Sequence, residues 1–244
     1  MVTLLSATSC SITIGGAARP PANLTPRFLD GQTLERVLLG QSALSRIVRQ
    51  PVELDPGFPP LVGGPETFGV ARPEGSESCL GVAVMMRAGA YRSANVKAVA
   101  FSTWRPTAAS GAAVTRVQQA AISLPTAHEA YALFSTISGQ WQECDGKAVP
   151  ISGGSLPLEV KVSRVQSASS VVAATISMQW NVPASFSPPA LPAERAVGVR
   201  DNCLIEVEVD FVDTSSAAQD GPADANARAL DIAQVMRDKV SALS

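Results

Sequence analysis

Apolar residues recur at helical spacing near both ends of the chain and once in its middle. Residues three or four positions apart lie on one side of a helix, so these sets predict helices with one buried face. Gly40 is placed to end the first helix in a left-handed conformation, and Pro222 starts the last. The predicted faces are Leu34, Val37 and Leu38; Ala130, Leu133, Phe134 and Ile137; and Ala229, Ile232, Met236, Val240 and Leu243.

A second short apolar set, Leu44, Ile47 and Val48, follows the first helix and leads into a Pro/Gly-rich connection through residue 76. Strands are then predicted wherever short β-leaning runs are separated by turn residues. In one run Leu204, Glu206, Glu208 and Asp210 alternate with apolar residues, which predicts a strand buried on one side only. The runs are CLGVAVMM, NVKAVAFSTW, AAVTRVQQAAISL, LEVKVSRV, SVVAATISMQW, RAVGV and NCLIEVEVDFV.

The order of these elements predicts an α+β fold in a single domain over residues 30–244. Adjacent strands joined by short polar turns favour an antiparallel β-sheet, and we expect the helices to cover one face of it. The 244 residues are enough for one well-filled core.

Composition excludes several classes of protein. With 46% hydrophobic and 16% charged residues the chain is globular, and no run of 18 apolar residues is present that could span a bilayer. The net charge is −2 and no stretch concentrates the basic residues, so the sequence predicts no nucleic-acid partner.

Few residues are suited to catalysis. His128 is the one histidine of the chain. Thr126 and Glu129 have the spacing of a capping box, which predicts the start of a helix of about 17 residues. His128 is therefore predicted to be an exposed residue at the start of that helix. No zinc-hydrolase, thiol-redox, serine-hydrolase or phosphate-loop motif occurs. We therefore expect no enzyme activity, no metal and no cofactor.

Four cysteines allow three pairings if all are oxidised. Cys79 and Cys144 both lie beside predicted surface turns, where a bridge between them is plausible. Cys203 lies inside a predicted strand and is expected to be a small buried hydrophobe. Cys10 precedes the predicted core.

The N-terminus has the features of an export signal. Residues 1–9 are apolar and then small, like the end of a secretory signal, and the segment ending at Cys10 is similar to a bacterial lipobox. Three departures are that Ala7 stands where an aliphatic residue is usual, that no Lys or Arg precedes the apolar run, and that the run is shorter than an ordinary signal core. Residues 10–29 have the composition of a Pro/Gly tether. The prediction is a lipid anchor on Cys10 that holds an exported domain at the outer face of the cytoplasmic membrane or cell envelope.

Several segments together resemble the PknH-like extracellular sensor domain, which is found on mycobacterial receptor Ser/Thr kinases and in mycobacterial lipoproteins. The resemblance covers residues 28–243 and rests on LERVLLG, SCLGVAVMMRAGAY, AYALFSTISGQWQECDGK, RAVGVRDNCLIEVEV and NARALDIAQVMRDKV. It implies an antiparallel α+β fold with a ligand-binding cleft, no catalysis, and a disulfide between Cys79 and Cys144. The family's second disulfide is missing, and its positions align with Ala193 and Asp210.

The leading functional hypothesis is a sensor or binding domain for a small or amphipathic envelope ligand. Large, partly polar side chains near strand ends are the candidate cleft residues, although each could equally pack in the core or lie at the surface. Two alternatives are a protein-interaction module on a tether and a hydrolase that uses Glu206, Glu208 and Asp210, whose commoner role would be a solvated strand face. The candidate cleft residues are Trp104, Arg105, Gln119, Tyr131 and Trp141.

Overall fold

The computed structural model describes residues 28–68, 77–108, 111–151, 158–168, 170–180, 190–212 and 227–244. The predicted signal remnant, Cys10 and Pro222 lie outside the described residues. Leu29, just before the predicted domain start, is buried, and its backbone N–H donates to Asn202 Oδ1 at 3.2 Å.

Within the described residues, nine antiparallel strands form one sheet, which confirms the predicted α+β class. The strand order is β1-β3-β4-β9-β8-β7-β6-β5, and β2 pairs with β3 beside β1. Strands β4, β9 and β8 are therefore central. The bounds are β1 Val52–Leu54, β2 Leu61–Gly63, β3 Ala98–Pro106, β4 Val114–Ser123, β5 Ala148–Ile151, β6 Leu158–Ala168, β7 Val171–Trp180, β8 Leu191–Arg200 and β9 Cys203–Phe211.

Helices cover both faces of the sheet, so the prediction that they cover one face was wrong. The central strands are apolar on both sides: Val197 and Leu204 pack with α3, α4 and α5, whereas Ala196 and Val207 pack with α1, α2 and α6. Two apolar faces each need a cover, and the result is a three-layer domain. The helices are α1 Gly31–Glu35, α2 Gln41–Ile47, α3 Glu77–Ala83, α4 Ala88–Tyr91, α5 Ala127–Cys144 and α6 Ala227–Leu243, with a 3-10 turn at Pro65–Thr67.

The two longest described helices follow their sequence patterns. At the start of α5, the Thr126 hydroxyl accepts from the Glu129 N–H at 3.1 Å, and His128 is exposed as predicted. The Glu129 carboxylate accepts from the Thr126 hydroxyl rather than from its backbone N–H. In α6 the predicted apolar face is buried at Ala229, Ile232, Met236 and Val240.

The predictions for α3 and Gly40 were wrong. CLGVAVMM was expected to be a strand, but residues 77–83 form α3, which a disulfide ties to α5 and hydrogen bonds from Arg195 tie to the sheet. Gly40 has φ −84° and is the N-cap of α2, so it does not end α1 in a left-handed conformation. Three short strands, β1, β2 and β5, were not predicted because three or four residues carry too little pattern.

Candidate functional site

The acidic residues of β9 lie in the interior, not on a solvated strand face. Glu206 is 3% exposed, and Glu208 and Asp210 are each 8% exposed. Strand β9 is therefore buried on both sides, and the prediction of a strand buried on one side only was wrong. Buried carboxylates require partners. These come mainly from basic residues of the neighbouring strands β8 and β4.

Arg195 and Glu206 form the inner half of this polar cluster. The Arg195 Nη2 donates to Glu206 Oε2 at 2.6 Å, and Nη1 donates to the carbonyls of Gly81 and Val82 at 3.0 and 2.7 Å. Glu206 also accepts from the Tyr91 hydroxyl and from the Met86 N–H. The inner half thus joins α3 and α4 to the centre of the sheet.

Trp141 of α5 completes the surroundings of Arg195. The Arg195 Cζ lies 5.5 Å from the centre of the Trp141 ring, a cation–π distance. Both side chains are buried. The guanidinium is therefore enclosed by α3, α5 and β9, and its role is to hold these elements together.

The outer half consists of Thr103, Arg116, Gln118, Glu208 and Asp210, and it is less completely paired. Arg116 binds Asp210 Oδ2 at 2.7 Å through both Nε and Nη2, but its Nη2 is 3.6 Å from Glu208 Oε1. Glu208 Oε2 is likewise 3.5 Å from the Nε of Arg195. These last two contacts are ion pairs at distances too long for strong hydrogen bonds.

The strand register places the outer half on one face of the sheet. Thr103 pairs with Gln118, Gln118 with Glu208, and Glu208 with Arg195, so the four form a row across β3, β4, β9 and β8. Directly opposed residues in antiparallel strands project to the same side. Thr103 is completely buried and its Oγ1 has no hydrogen-bond partner in the described structure; the same is true of Asp210 Oδ1.

The environment of the outer half changes how its acids titrate. Burial raises the pKa of Glu208 to about 7, the positive charge of Arg195 opposes this, and the negative charge of Asp210 adds to it. Burial also raises the pKa of Asp210, against the opposing effect of Arg116. Near neutral pH, the Glu208 carboxyl is therefore poised between its protonated and ionised forms.

The structure does not bring the five predicted cleft residues together. Gln119 and Trp104 face the α1 side of the sheet, where Gln119 Nε2 donates to the Leu39 carbonyl at 2.7 Å and Trp104 Nε1 donates to Ser102 Oγ at 3.0 Å. Trp141 lies on the opposite side. Arg105 is exposed and paired with Glu53, and Tyr131 is exposed on α5.

The three described cysteines match the expectations made for them, and Cys10 lies outside the described residues. Cys79 of α3 and Cys144 of α5 form a disulfide. Cys203 is buried and unpaired, and burial raises the pKa of its thiol to about 12, so it is unreactive at neutral pH. Ala193 and Asp210, the positions aligned with the family's second disulfide, are direct cross-strand partners in β8 and β9.

A groove of about 260 Å³ lies elsewhere, between residues 93–95 and α5. Leu124, Leu133, Thr136 and Glu129 line it, and the Glu129 carboxylate is already occupied by the helix cap. The described side chains include no group of three or more His, Cys, Asp or Glu arranged to hold a metal. Nor is any described helix long and apolar enough to cross a membrane.

Comparisons with known proteins identify the family to which this chain belongs. The model of the PknH-like extracellular domain matches residues 29–239, and the chain belongs to that family. The crystal structure of the extracellular domain of PknH from Mycobacterium tuberculosis superposes with a TM-score of 0.69 and 17% identity, covering 89% of this chain and all of that one. No curated protein matches the chain. The family is one of extracellular, sensor-type domains, and the disulfide agrees with an oxidising compartment.

Proposed function

We propose that this chain is a non-catalytic extracellular sensor domain that binds a small or amphipathic envelope ligand on the sheet face formed by the outer half of the polar cluster. The observation that carries the proposal is the incomplete pairing of buried polar groups there. Among the described residues, neither Thr103 Oγ1 nor Asp210 Oδ1 has a hydrogen-bond partner, although both are buried. Leaving such groups unpaired costs about 1–3 kcal/mol each, which a bound ligand would recover.

Access to this face supports the proposal. The Arg116 side chain is 39% exposed and Gln118 is half-buried, so among the described residues the outer half reaches solvent on the β4 side. The inner half, by contrast, is fully enclosed. A partly enclosed site with a few convergent polar groups is the usual form of a small-molecule site.

A thermal-shift survey with envelope lipids and peptidoglycan fragments tests the proposal. A ligand at a hundred times its Kd stabilises the fold by about 2.7 kcal/mol, which raises the Tm by roughly 5–10 °C for a domain of this size. Thr103→Val removes the unpaired hydroxyl while keeping the shape, and we expect a smaller shift for it. Glu159→Gln, an exposed change on β6, is the matched control. If no compound shifts the wild-type Tm at saturation, the proposal fails.

We also propose that the domain is exported and held at the outer face of the membrane by acyl chains on Cys10. The lipobox-like sequence before Cys10 supports this, and several acyl chains together hold a protein firmly at a bilayer. Mass spectrometry of the mature N-terminus should find an acylated Cys10, and Cys10→Ala should release the protein from the membrane fraction. A variant that stays membrane-bound would contradict the anchor.

A carboxylate-based hydrolase is the second candidate, and the pKa of Glu208 favours it. A buried acid with a pKa of about 7 is suited to general acid catalysis, and Asp210 lies two residues away on the same strand face. The sensor-type family favours binding instead. Incubation of wild type and Glu208→Gln with envelope glycans and esters decides between them, because only an enzyme shows turnover that this substitution abolishes.

The third candidate, a protein-interaction module, is favoured by exposed apolar residues at the β1–β2 edge. Leu54, Phe58, Leu61 and Val62 are each 42–56% exposed. Soluble domains seldom keep such residues clustered without a partner. This function would be supported by a protein that wild type and Glu159→Gln both capture from an envelope fraction and that Phe58→Ser does not. Equal capture by all three would exclude this edge as the contact surface.

A further inference from the structure

The two halves of the polar cluster differ in how completely their hydrogen bonds are made. In the inner half, both oxygens of Glu206 accept hydrogen bonds and both terminal nitrogens of Arg195 donate them, whereas the Arg195 Nε, which lies 3.5 Å from Glu208 Oε2, has no hydrogen-bond partner among the described residues. Among the described residues of the outer half, Asp210 Oδ1 accepts no hydrogen bond, the Thr103 hydroxyl has no partner, and both oxygens of Glu208 lie 3.5 Å or more from their guanidinium nitrogens. A ligand that completes the pairing of these carboxylate oxygens must therefore bring hydrogen-bond donors.

Charge narrows the choice of ligand further. The opposite charges of Arg195 and Glu206 cancel each other. The two negative charges of Glu208 and Asp210 then face the single positive charge of Arg116. The charged and titratable groups facing Glu208 are thus Arg195 from β8, Arg116 from β4, and Glu206 and Asp210 from β9, with Tyr91 of α4 behind Glu206. The ionised outer half carries one uncompensated negative charge in a buried setting.

A third group stands in the same row. Thr103 is completely buried, and its side chain projects from the same sheet face as Gln118 and Glu208. Its hydroxyl has no hydrogen-bond partner among the described residues. In the row of paired residues, Thr103 lies two strands away from Glu208. A ligand whose two polar groups are a few bonds apart could therefore contact both side chains. A hydroxyl can donate or accept, which suits a polar group next to the charged one on the ligand.

We infer that the outer half of the polar cluster binds the cationic nitrogen of its ligand, a primary ammonium group held by the Glu208 and Asp210 carboxylates with an adjoining polar group at Thr103. This rests on the proposed binding function and names the chemical class of ligand for the same site. When the ammonium enters, it takes the place of the proton on Glu208, and that proton passes to solvent. Binding therefore releases a proton and is favoured at higher pH.

Three small probes with one backbone separate the possibilities. Ethanolamine, ethylene glycol and glycolate share two carbons and a hydroxyl, and differ in a terminal ammonium, hydroxyl or carboxylate. We would titrate each into the 15N-labelled full chain and follow backbone amide signals at residues 118, 208 and 210. Ethanolamine should give saturable shifts there, and the other two should give none of comparable size.

The pH dependence and the variants complete the test. Because Glu208 has a pKa of about 7 and must lose its proton first, ethanolamine should bind roughly 30-fold more weakly at about pH 5.5 than at about pH 8. Glu208→Gln should abolish the shifts, Thr103→Val should weaken them, and Glu159→Gln should leave them unchanged.

Several results would overturn the inference. These are amide shifts with ethylene glycol as large as those with ethanolamine, larger shifts with glycolate, an affinity for ethanolamine that does not change with pH, or no shifts with ethanolamine at all. Saturable shifts at the site with a neutral or anionic probe would remove the ammonium assignment and leave the proposed binding function intact. Failure of that function is decided separately, by the thermal-shift survey.

Discussion

Replacing Glu208 with Gln tests the electrostatic account of the polar cluster by itself, without any ligand. Burial raises the pKa of Glu208 from 4.5 to about 7, so the folded chain binds this proton more tightly than the unfolded chain does. Stability is then greatest at low pH and falls as the pH rises from the unfolded pKa through the folded one. Between about pH 5 and pH 8, this one group lowers the free energy of unfolding by about 2–3 kcal/mol.

Urea unfolding at several pH values, followed by tryptophan fluorescence, measures the effect. Gln resembles the protonated acid, so Glu208→Gln should be close to wild type near pH 5 and more stable by about 2–3 kcal/mol near pH 8. Glu159→Gln, exposed on β6, should differ little from wild type at either pH. If the difference in free energy of unfolding between Glu208→Gln and wild type is the same at both pH values, Glu208 does not have a raised pKa.

Three further predictions concern the framework around the cluster. Arg195→Met leaves Glu206 buried without its main partner, so urea unfolding should show a loss of about 3–5 kcal/mol, and a loss below 1 kcal/mol would contradict the structural role of the pair. Replacing Cys79 and Cys144 by Ala opens a bridge between residues 65 apart and should cost about 4 kcal/mol, whereas an unchanged Tm would show that the bridge does not form. In the double variant Ala193→Cys/Asp210→Cys, the two thiols should form a disulfide spontaneously, because direct cross-strand partners lie within disulfide reach. The new bridge should raise the free energy of unfolding by about 3 kcal/mol. If mass spectrometry finds two free thiols instead, the register of β8 and β9 is contradicted.

The fold class could be predicted because long elements carry their own patterns. The Thr126 cap and the apolar face of α6 are local features that tertiary contacts did not override. The sequence of α3 contains Val82, which is β-branched and favours a strand, and Gly81, which disfavours a helix, so local propensity gives this helix little support. What decides for a helix is distant: the disulfide to Cys144 and the hydrogen bonds that Arg195 donates to its last carbonyls.

The candidate site was harder to predict than the fold. Alternation along β9 correctly placed Glu206, Glu208 and Asp210 on one face, but alternation cannot show whether that face meets water or another layer. Their partner Arg116 is far away in sequence and becomes a neighbour only through the order of the strands. Aromatic residues near strand ends were the favoured ligand contacts, whereas Thr103 has no distinguishing sequence signal at all.

Native mass spectrometry of the protein, extracted gently from its own cell envelope, tests directly whether the outer half of the polar cluster holds a ligand. We expect a bound small molecule on the wild type and on Glu159→Gln, and its loss from Glu208→Gln, which should itself fold at least as stably as the wild type near pH 8. A wild-type protein without bound mass, or a Glu208→Gln variant that keeps the same bound mass, would contradict the assignment of this sheet face as the binding site.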